Sequence, residues 1–171
     1  MKKACLLILF ITSITTASAQ FNPNRLTIGG GLGAQFGDYT LINVAPQIGY
    51  NFSNYVNAGA GFTYTHYSNK YSSYKQTNNY FGANLYAKIY PIPYIVLMVQ
   101  PEINRMWQTV EARPSGVKSK TEEVIPVCLV GGGLRFGPVT AMIQYDLVQN
   151  GDSPYGNKMF YSVGYSFSFG W

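Results

Sequence analysis

Two side chains in one short stretch have the types and spacing needed for hydrolysis. The stretch reads Tyr-Thr-His-Tyr-Ser-Asn, and it places His66, the only histidine of the chain, two residues before Ser68. A histidine can act as the base that activates a serine hydroxyl as a nucleophile. The simpler interpretation is a lone histidine beside a polar loop, so the pair stands as an alternative and no catalytic residue is assigned.

Two glycine runs suggest a second kind of chemistry, the binding of phosphate. They cover residues 29–33 and 131–133. Neither run ends in Gly-Lys-Ser or Gly-Lys-Thr, and neither opens a helical pattern, as a phosphate-binding loop requires. Glycine on a crowded inner surface is the better explanation. The sequence also contains no Cys/His spacing typical of a zinc site, so we predict neither a metal nor a cofactor.

The element that would position these residues is best seen in the last stretch, residues 159–171. Its even positions after Phe160 are Ser or Gly. Its odd positions are large and apolar or aromatic: Met159, Tyr161, Val163, Tyr165, Phe167, Phe169 and Trp171. Alternation with a period of two predicts a strand with two different faces. Large residues facing lipid and small polar ones facing inward are typical of the wall of a transmembrane barrel.

The start of the chain predicts export. Lys2 and Lys3 precede an apolar run, and Ala17-Ser18-Ala19 provides a small-residue cleavage site. These are the features of a secretory signal peptide over residues 1–19, which leaves a barrel domain over residues 20–171. The apolar run is shorter than the ~20 residues that a membrane-spanning helix needs. Removal of the signal would leave Cys128 as the single cysteine, so no intrachain disulfide is expected.

Composition favours a protein surrounded by lipid. Charged residues make up 11% of the chain, and aromatic residues make up 16%. An ordinary soluble domain has about 25% charged residues. No basic helix accompanies the modest positive charge, so we predict no nucleic-acid partner. Without a long apolar helix after the signal, membrane insertion requires a closed barrel.

The rest of the chain divides into eight segments with strand periodicity. They cover residues 25–36, 41–52, 55–67, 79–90, 94–107, 123–136, 139–148 and 159–171. We therefore predict an all-β fold, an eight-stranded antiparallel up-and-down transmembrane β-barrel. A soluble lipocalin-like barrel is the structural alternative, and it would require the large faces to point inward.

The opposite phase of the segments carries polar and charged residues. Among them are Lys88, Glu102, Arg135 and Asp146, which we expect in a hydrogen-bonded, partly ion-paired network inside the barrel. Eight strands enclose a lumen just wide enough for side chains to fill. The pattern therefore favours a filled lumen over a narrow channel.

The connections between the segments alternate in length. Short connections fall at residues 53–54, 91–93 and 137–138, and longer polar ones at residues 68–78, 108–122 and 149–157. Outer-membrane barrels have short periplasmic turns and longer external loops. We therefore expect the three longer loops to form the exposed working surface.

The chain as a whole resembles the small OmpA/OmpX-type outer-membrane β-barrels. The resemblance rests on the signal ending in Ala-Ser-Ala, the alternating segments and the terminal Tyr-Ser-Phe-Ser-Phe-Gly-Trp. It implies location in the cell outer membrane, contact with outer-membrane lipid and lipopolysaccharide, and a monomeric barrel. It also implies recognition of the last strand by the barrel-assembly machinery through Tyr165, Phe167, Phe169 and Trp171. That family includes structural, adhesion-related and enzymatic members, so the fold does not choose a function.

The stretch around His66 is similar to the local motif of outer-membrane lipid A deacylases. That resemblance would make His66 and Ser68 catalytic residues on the lipid-facing wall. Those enzymes orient the histidine with a downstream acidic residue, whereas residues 70–90 contain no Asp or Glu. We therefore predict a non-enzymatic barrel with a structural or surface-interaction role, with a lipid A-modifying hydrolase and a narrow channel as alternatives.

Overall fold

The protein folds as a closed barrel of eight antiparallel strands. A computed structural model describes residues 22–35, 39–70, 74–112, 118–156 and 158–168. The predicted signal peptide, Phe169 and Trp171 lie outside this part of the chain. A short 3-10 turn, Pro23–Arg25, precedes the first strand. The strands are β1 (Leu26–Gln35), β2 (Tyr39–Asn51), β3 (Val56–Lys70), β4 (Tyr74–Ile92), β5 (Ile95–Ala112), β6 (Lys118–Phe136), β7 (Val139–Asp146) and β8 (Phe160–Ser168).

Each strand pairs with its neighbours in sequence, and β1 closes the ring by pairing with β8. The closing register joins Thr27 to Ser168 and Gly33 to Ser162. The predicted fold class is therefore confirmed. We call the end that carries the connections 52–55, 93–94 and 137–138 the turn end, and the opposite end the loop end.

The large side chains point outward, as the alternation predicts. Ile103 is 65% exposed, whereas the next residue, Asn104, is fully buried. The outward phase of every strand carries exposed apolar or aromatic residues, and the inward phase carries the buried ones. In water this arrangement would expose a wide apolar surface to solvent. The outer face therefore requires contact with lipid. The lipocalin-like alternative, with the large faces inward, is wrong.

Glycines on the inner face let bulky side chains cross a narrow lumen. A Cβ atom at Gly33 would overlap the ring of Phe160, and one at Gly49 would overlap the hydroxyl of Tyr86. The two glycines therefore provide room for aromatic side chains of nearby strands, the Phe160 ring on the neighbouring β8 and the Tyr86 hydroxyl on β4. This close approach accounts for these two inner-face glycines without a phosphate-binding loop.

Strands β3 to β6 extend into segments that the sequence pattern predicts to be loops. The segments 68–78 and 108–122, which we expected to be loops, are mostly strand. Lys70 pairs with Lys75 across β3 and β4, and Glu111 pairs with Lys118 across β5 and β6. The prediction failed because the ladder is built from backbone hydrogen bonds, which continue after the apolar alternation stops. β7, by contrast, ends at Asp146, two residues before the predicted end.

The longest strands exceed what a membrane crossing needs. β4 and β6 each have 19 residues. At about 3.3 Å per residue such a strand is roughly 60 Å long, or roughly 45 Å along the barrel axis at a tilt of about 40°, whereas the apolar band of a transmembrane barrel is roughly 25 Å tall. Residues 68–70, 74–78, 108–112 and 118–122 therefore form a sheet that projects beyond the apolar band, and we call it the sheet extension.

Within the described ranges, no helix is long and apolar enough to span a membrane.

Candidate functional site

The centre of the lumen is organised around the carboxylate of Glu102. This side chain is 3% exposed. Its Oε2 accepts hydrogen bonds from the Thr63 hydroxyl at 3.0 Å and from Gln100 Nε2 at 3.1 Å. Its Oε1 accepts from Asn104 Nδ2 at 2.6 Å and from the Tyr155 hydroxyl at 3.4 Å. Four donors thus satisfy a buried carboxyl group, which would otherwise lose its hydration without compensation.

A chain of amide groups connects Glu102 to Lys88. Lys88 Nζ donates to Gln47 Oε1 at 3.2 Å, and Gln47 Nε2 donates to Gln100 Oε1 at 3.0 Å. Gln100 in turn donates to Glu102. Lys88 Nζ also lies 4.6 Å from the centre of the Tyr86 ring. The Lys88 ammonium and the Glu102 carboxylate are therefore connected by a chain of hydrogen-bonded amide groups whose dipoles point in the same direction. The two charged groups do not contact each other directly.

The loop that follows β7 enters the lumen and anchors on Asp146. Oδ1 of Asp146 accepts from the backbone N–H groups of Cys128 at 3.2 Å and Val148 at 3.0 Å. Oδ2 accepts from the Ser153 hydroxyl at 2.7 Å. We call residues 147–156 the plug loop. The prediction that this loop is exposed is wrong for Ser153, Pro154 and Tyr155, which are buried.

Tyr155 carries the plug loop into the barrel. It is 1% exposed, its hydroxyl donates to Glu102, and it accepts a hydrogen bond from Asn43 Nδ2 at 3.2 Å. Its ring meets Phe160 edge to face at 5.0 Å between centres. Burial, with the nearby charge of Glu102, raises the pKa of the Tyr155 hydroxyl well above its ordinary value. The hydroxyl is therefore a permanent donor at neutral pH.

Arg135 lies at the turn end, where it contacts Tyr90 and Gly137. Its guanidinium lies 4.7 Å from the centre of the Tyr90 ring, and its Nε donates to the carbonyl of Gly137 at 3.1 Å. It borders a cavity of about 480 Å³ that Tyr55 and Tyr94 also line. The structure thus links Lys88 to Glu102 through amides and places Arg135 and Asp146 at opposite ends. In the described part of the chain, no ion pair joins any two of these four residues.

Apolar side chains fill much of the lumen, which the sequence pattern did not predict. One buried cluster lies near the loop end: Leu41, Tyr80, Met106, Ile125, Val127, Leu129, Tyr155 and Phe160. A second contains Val96, Met98 and Met142, with Tyr90 packed against it. A void between the polar and apolar groups at the centre of the lumen has a volume of about 30 Å³. That volume holds about one water molecule, so side chains fill the lumen at this level.

A broad groove lies on the lipid-facing side. It has a volume of about 830 Å³, and its lining includes outward side chains such as Ile48, Phe62 and Leu85. Hydrocarbon chains would fill such a surface groove.

His66 and Ser68 both lie on the outward phase of β3, near the loop end. Nδ1 of His66 is 2.8 Å from Asn79 Oδ1, and the Tyr64 hydroxyl donates to the same oxygen at 3.2 Å. Among the described contacts, no hydrogen bond joins His66 to Ser68. The structure thus gives the histidine an amide partner and does not give it the serine.

The outer face of the barrel carries an ion pair where the sheet extension begins. Arg105 donates to Glu122 at 2.6 Å, and its guanidinium lies 5.5 Å from the centre of the Trp107 ring. Cation and aromatic ring together are typical of the boundary between lipid and water. The charged and polar residues beyond this level lie in the sheet extension.

Two of the residues predicted to guide barrel assembly are described. Tyr165 and Phe167 are exposed on the outward face of β8, with their ring centres 4.3 Å apart. Phe169 and Trp171, the other two, lie outside the described residues. No group of three or more His, Cys, Asp or Glu side chains that could hold a metal occurs within the ranges that the structure covers.

Comparison with known proteins identifies the fold and leaves the family open. No protein-family model and no curated protein matches the chain. The structure of Ail, the attachment invasion locus protein of Yersinia pestis, matches with a TM-score of 0.55 at 12% identity, over 83% of this chain and 96% of Ail. The same protein in complex with the heparin analogue sucrose octasulfate matches with a TM-score of 0.53, also at 12% identity and over 83% and 96% of the chains. The chain therefore has the fold of an eight-stranded transmembrane β-barrel.

Proposed function

We propose that this chain is an outer-membrane barrel with a filled lumen, and that it acts through surface interactions of its sheet extension. The observation that carries the proposal is the length of β3 to β6, which continue as a paired sheet beyond the apolar band. This sheet carries exposed charged residues of both signs, including Lys118, Lys120 and Glu122. A rigid, charged platform outside the membrane is suited to binding a partner.

The shape of the barrel supports the location in the outer membrane that we propose. Short connections and both described chain ends lie at the turn end, and the sheet extension lies at the loop end. In outer-membrane barrels these ends face the periplasm and the outside, respectively. We therefore place the sheet extension on the cell surface after cleavage of the signal peptide. Lipopolysaccharide phosphates would then lie near Arg105 and the lysines of the extension.

The assembly route and the state in the membrane complete the proposal. The outward aromatic residues Tyr165 and Phe167, with Phe169 and Trp171, would be read by the barrel-assembly machinery. Each barrel closes on itself through β1 and β8, so it needs no partner within its own membrane. We expect neither a cofactor nor a nucleic-acid partner.

Cysteine labelling on intact cells tests this orientation. In a Cys128→Ser background, Ser119→Cys places a thiol in the sheet extension, and Asn54→Cys places one at the turn end. We expect a membrane-impermeant maleimide to label the first variant on intact cells and the second only after the outer membrane is opened. Labelling of Asn54→Cys alone on intact cells would contradict the proposal.

A lipid A-modifying hydrolase is the second candidate, and one contact favours it. His66 is held by Asn79 on the outward wall, where lipid would lie. An amide oxygen can orient a histidine, although it stabilises the charged ring less than a carboxylate does. Mass spectrometry of lipid A from cells with the wild type and with His66→Ala tests the candidate. Identical acylation in both would remove it.

The narrow channel is disfavoured by the packing of the lumen. The central void of about 30 Å³ is enclosed by side chains that include Gln47, Lys88 and Gln100. An ion would have to break the amide chain and displace Tyr155 to pass. We expect no single-channel current in planar bilayers, and stepwise conductance would contradict a filled lumen.

A further inference from the structure

Inward-facing residues at the turn end of the lumen are exposed. Tyr55 and Tyr94 come directly before β3 and β5, and the alternation of these strands puts both on the inward phase. Tyr55 is nevertheless 62% exposed and Tyr94 is 65% exposed, whereas the next inward residues, Asn57 and Val96, are buried. The lumen therefore opens at this end into the cavity of about 480 Å³, which we call the turn-end cavity.

Backbone hydrogen bonds fix the walls of the turn-end cavity. The N–H of Tyr90 donates to the carbonyl of Tyr55 at 2.8 Å, and the N–H of Arg135 donates to the carbonyl of Tyr94 at 2.8 Å. The Tyr90 side chain also packs against the buried cluster that contains Met98. A site whose walls are already ordered loses little conformational freedom when a ligand binds.

Arg135 brings a positive charge to this cavity without an acidic partner. The Nε contact with Gly137 and the Tyr90 ring hold the plane of the guanidinium. Among the described hydrogen bonds, none runs from its two Nη groups to an acceptor. The ion pairs found within the described ranges do not involve Arg135 either. The two Nη groups are thus available to bind the oxygens of an anion in parallel.

The acidic residues of the described ranges lie elsewhere in the barrel. None of them borders the turn-end cavity: Glu102, Glu111, Glu122, Glu123, Asp146 and Asp152. A second cation, Arg25, lies at the same end, where its Nη1 donates to the carbonyl of Phe52 at 3.2 Å. A concave site with charges of one sign attracts ligands of the opposite sign. The turn end therefore favours anions.

The groups around the turn-end cavity define the chemistry of a ligand. A guanidinium fork matches the oxygens of a carboxylate or a phosphate. Tyrosine rings pack against a flat ring, and their hydroxyl groups can donate or accept hydrogen bonds. The volume of about 480 Å³ falls within the range of about 300–1,000 Å³ that is typical of small-molecule sites.

We propose that the turn-end cavity binds a small, water-soluble organic anion, a molecule with a ring and a carboxylate or phosphate that pairs with Arg135. The cavity lies between the turns at the end of the lumen, so the ligand enters from the aqueous side. This inference goes beyond the proposed function, which concerns the opposite end of the barrel. Only the compartment of the ligand, the periplasm, follows from the orientation proposed above.

Ligand-observed NMR in nanodiscs tests the proposal. The full mature barrel is placed in phosphatidylcholine nanodiscs, and saturation transfer is measured to benzoate, phenyl phosphate and benzamide, with empty discs as the background. We expect transfer to benzoate or phenyl phosphate, and much weaker transfer to benzamide, which has the same ring without the charge. Titration of the anion that binds gives its dissociation constant.

Variants of Arg135 show whether the charge and its fork are responsible. We expect Arg135→Gln to weaken binding of the anion by about tenfold or more, because a charged hydrogen-bond donor is lost. Arg135→Lys keeps the charge without the fork, so it should weaken binding by a smaller factor. Arg105→Gln removes the same charge from the outward face, so it should leave binding unchanged.

Controls separate folding and lipid headgroups from ligand binding. Each variant is checked for a folded barrel by its gel mobility without heating, and Arg135→Lys carries the comparison if Arg135→Gln does not fold. In discs that also contain phosphatidylglycerol, a soluble anion should still bind. Loss of binding there would show that headgroups occupy the cavity, and would overturn the assignment to a soluble molecule.

Three results would overturn the inference as a whole: no transfer to either anion, equal transfer to benzamide, or unchanged binding by Arg135→Gln. The nanodisc measurement does not depend on the orientation of the barrel in cells. Its failure would therefore leave the proposed function intact, since surface labelling of Ser119→Cys tests that separately.

Discussion

At the scale of single residues, the lumen depends on a few polar side chains with many contacts. Glu102 accepts four hydrogen bonds, and Tyr155 donates one of them from the plug loop. Removing such a residue leaves several donors without partners in a site without bulk water. An unsatisfied buried polar group costs about 1–3 kcal/mol. These residues should therefore affect stability more than the exposed charges of the sheet extension.

Replacement of Glu102 tests this directly. We expect Glu102→Ala to lower the free energy of unfolding by about 3 kcal/mol or more, because Thr63, Gln100, Asn104 and Tyr155 lose their acceptor. Glu102→Gln should cost less, since its remaining oxygen still accepts, and the one hydroxyl that faces the new amide nitrogen, Thr63 or Tyr155, can reverse and accept from it. Urea unfolding in lipid vesicles measures both. Glu111→Ala, on the exposed sheet extension, is the control and should change stability by less than about 0.5 kcal/mol.

Tyr155 gives a prediction with a defined pH dependence. Its folded pKa is raised above the unfolded value of about 10, so the folded state holds the proton more tightly. The resulting stability is fully present below pH ~10 and is lost as the pH rises from there toward the folded pKa. We expect Tyr155→Phe to be less stable than the wild type by about 1–2 kcal/mol at pH 8 and by less at pH 10.5. A difference that grows with pH would contradict the burial of this hydroxyl.

At the scale of elements, the strands extend beyond their sequence pattern. Period-two alternation identified all eight strands because each wall residue faces either hydrocarbon or the crowded lumen. Above the apolar band, the outward face of the sheet no longer contacts lipid. Polar residues such as Asn69, Gln76 and Thr77 can therefore occupy either face, and the alternation disappears. The backbone ladder nevertheless continues through Lys70 and Lys75. A loop and a solvated hairpin are difficult to distinguish in a polar sequence for this reason.

Shortening the sheet extension tests whether it is separate from the barrel. Joining β5 to β6 through a two-residue turn at Gln108 and Thr121, which are paired in the register, removes the projecting hairpin. We expect the barrel to keep its altered gel mobility without heating, because the lumen contacts of Glu102 and Asp146 lie below the cut. Loss of the folded form would show that the hairpin belongs to the barrel core.

At the scale of the whole molecule, the outward apolar surface decides between lipid and water as the surrounding. Leu85 is 63% exposed, at a mid-wall position of β4. An arginine on the lipid-facing side of a barrel costs about 2–4 kcal/mol at the bilayer midplane. We expect this cost for Leu85→Arg, measured by urea unfolding in vesicles. Thr109→Arg, in the sheet extension, should have little effect, and equal effects at the two positions would contradict the membrane boundary.

The sequence alone determined the inside and the outside of this protein. Alternation along each strand assigned Ile103 to lipid and Asn104 to the lumen, and both assignments agree with the exposure of these residues. It also gave the order of the strands, because short connections leave consecutive strands no other neighbours. Facing and strand order both depend on residues that are close together in the chain, so the pattern along each strand is enough to predict them.

Only the tertiary structure decided which side chains meet across the lumen. Lys88 and Gln47 are 41 residues apart in the chain, and Tyr155 and Glu102 are 53 residues apart. Such contacts depend on the register and closure of the barrel, which no single strand encodes. The plug loop has no periodicity, so its sequence did not show that Tyr155 would turn inward.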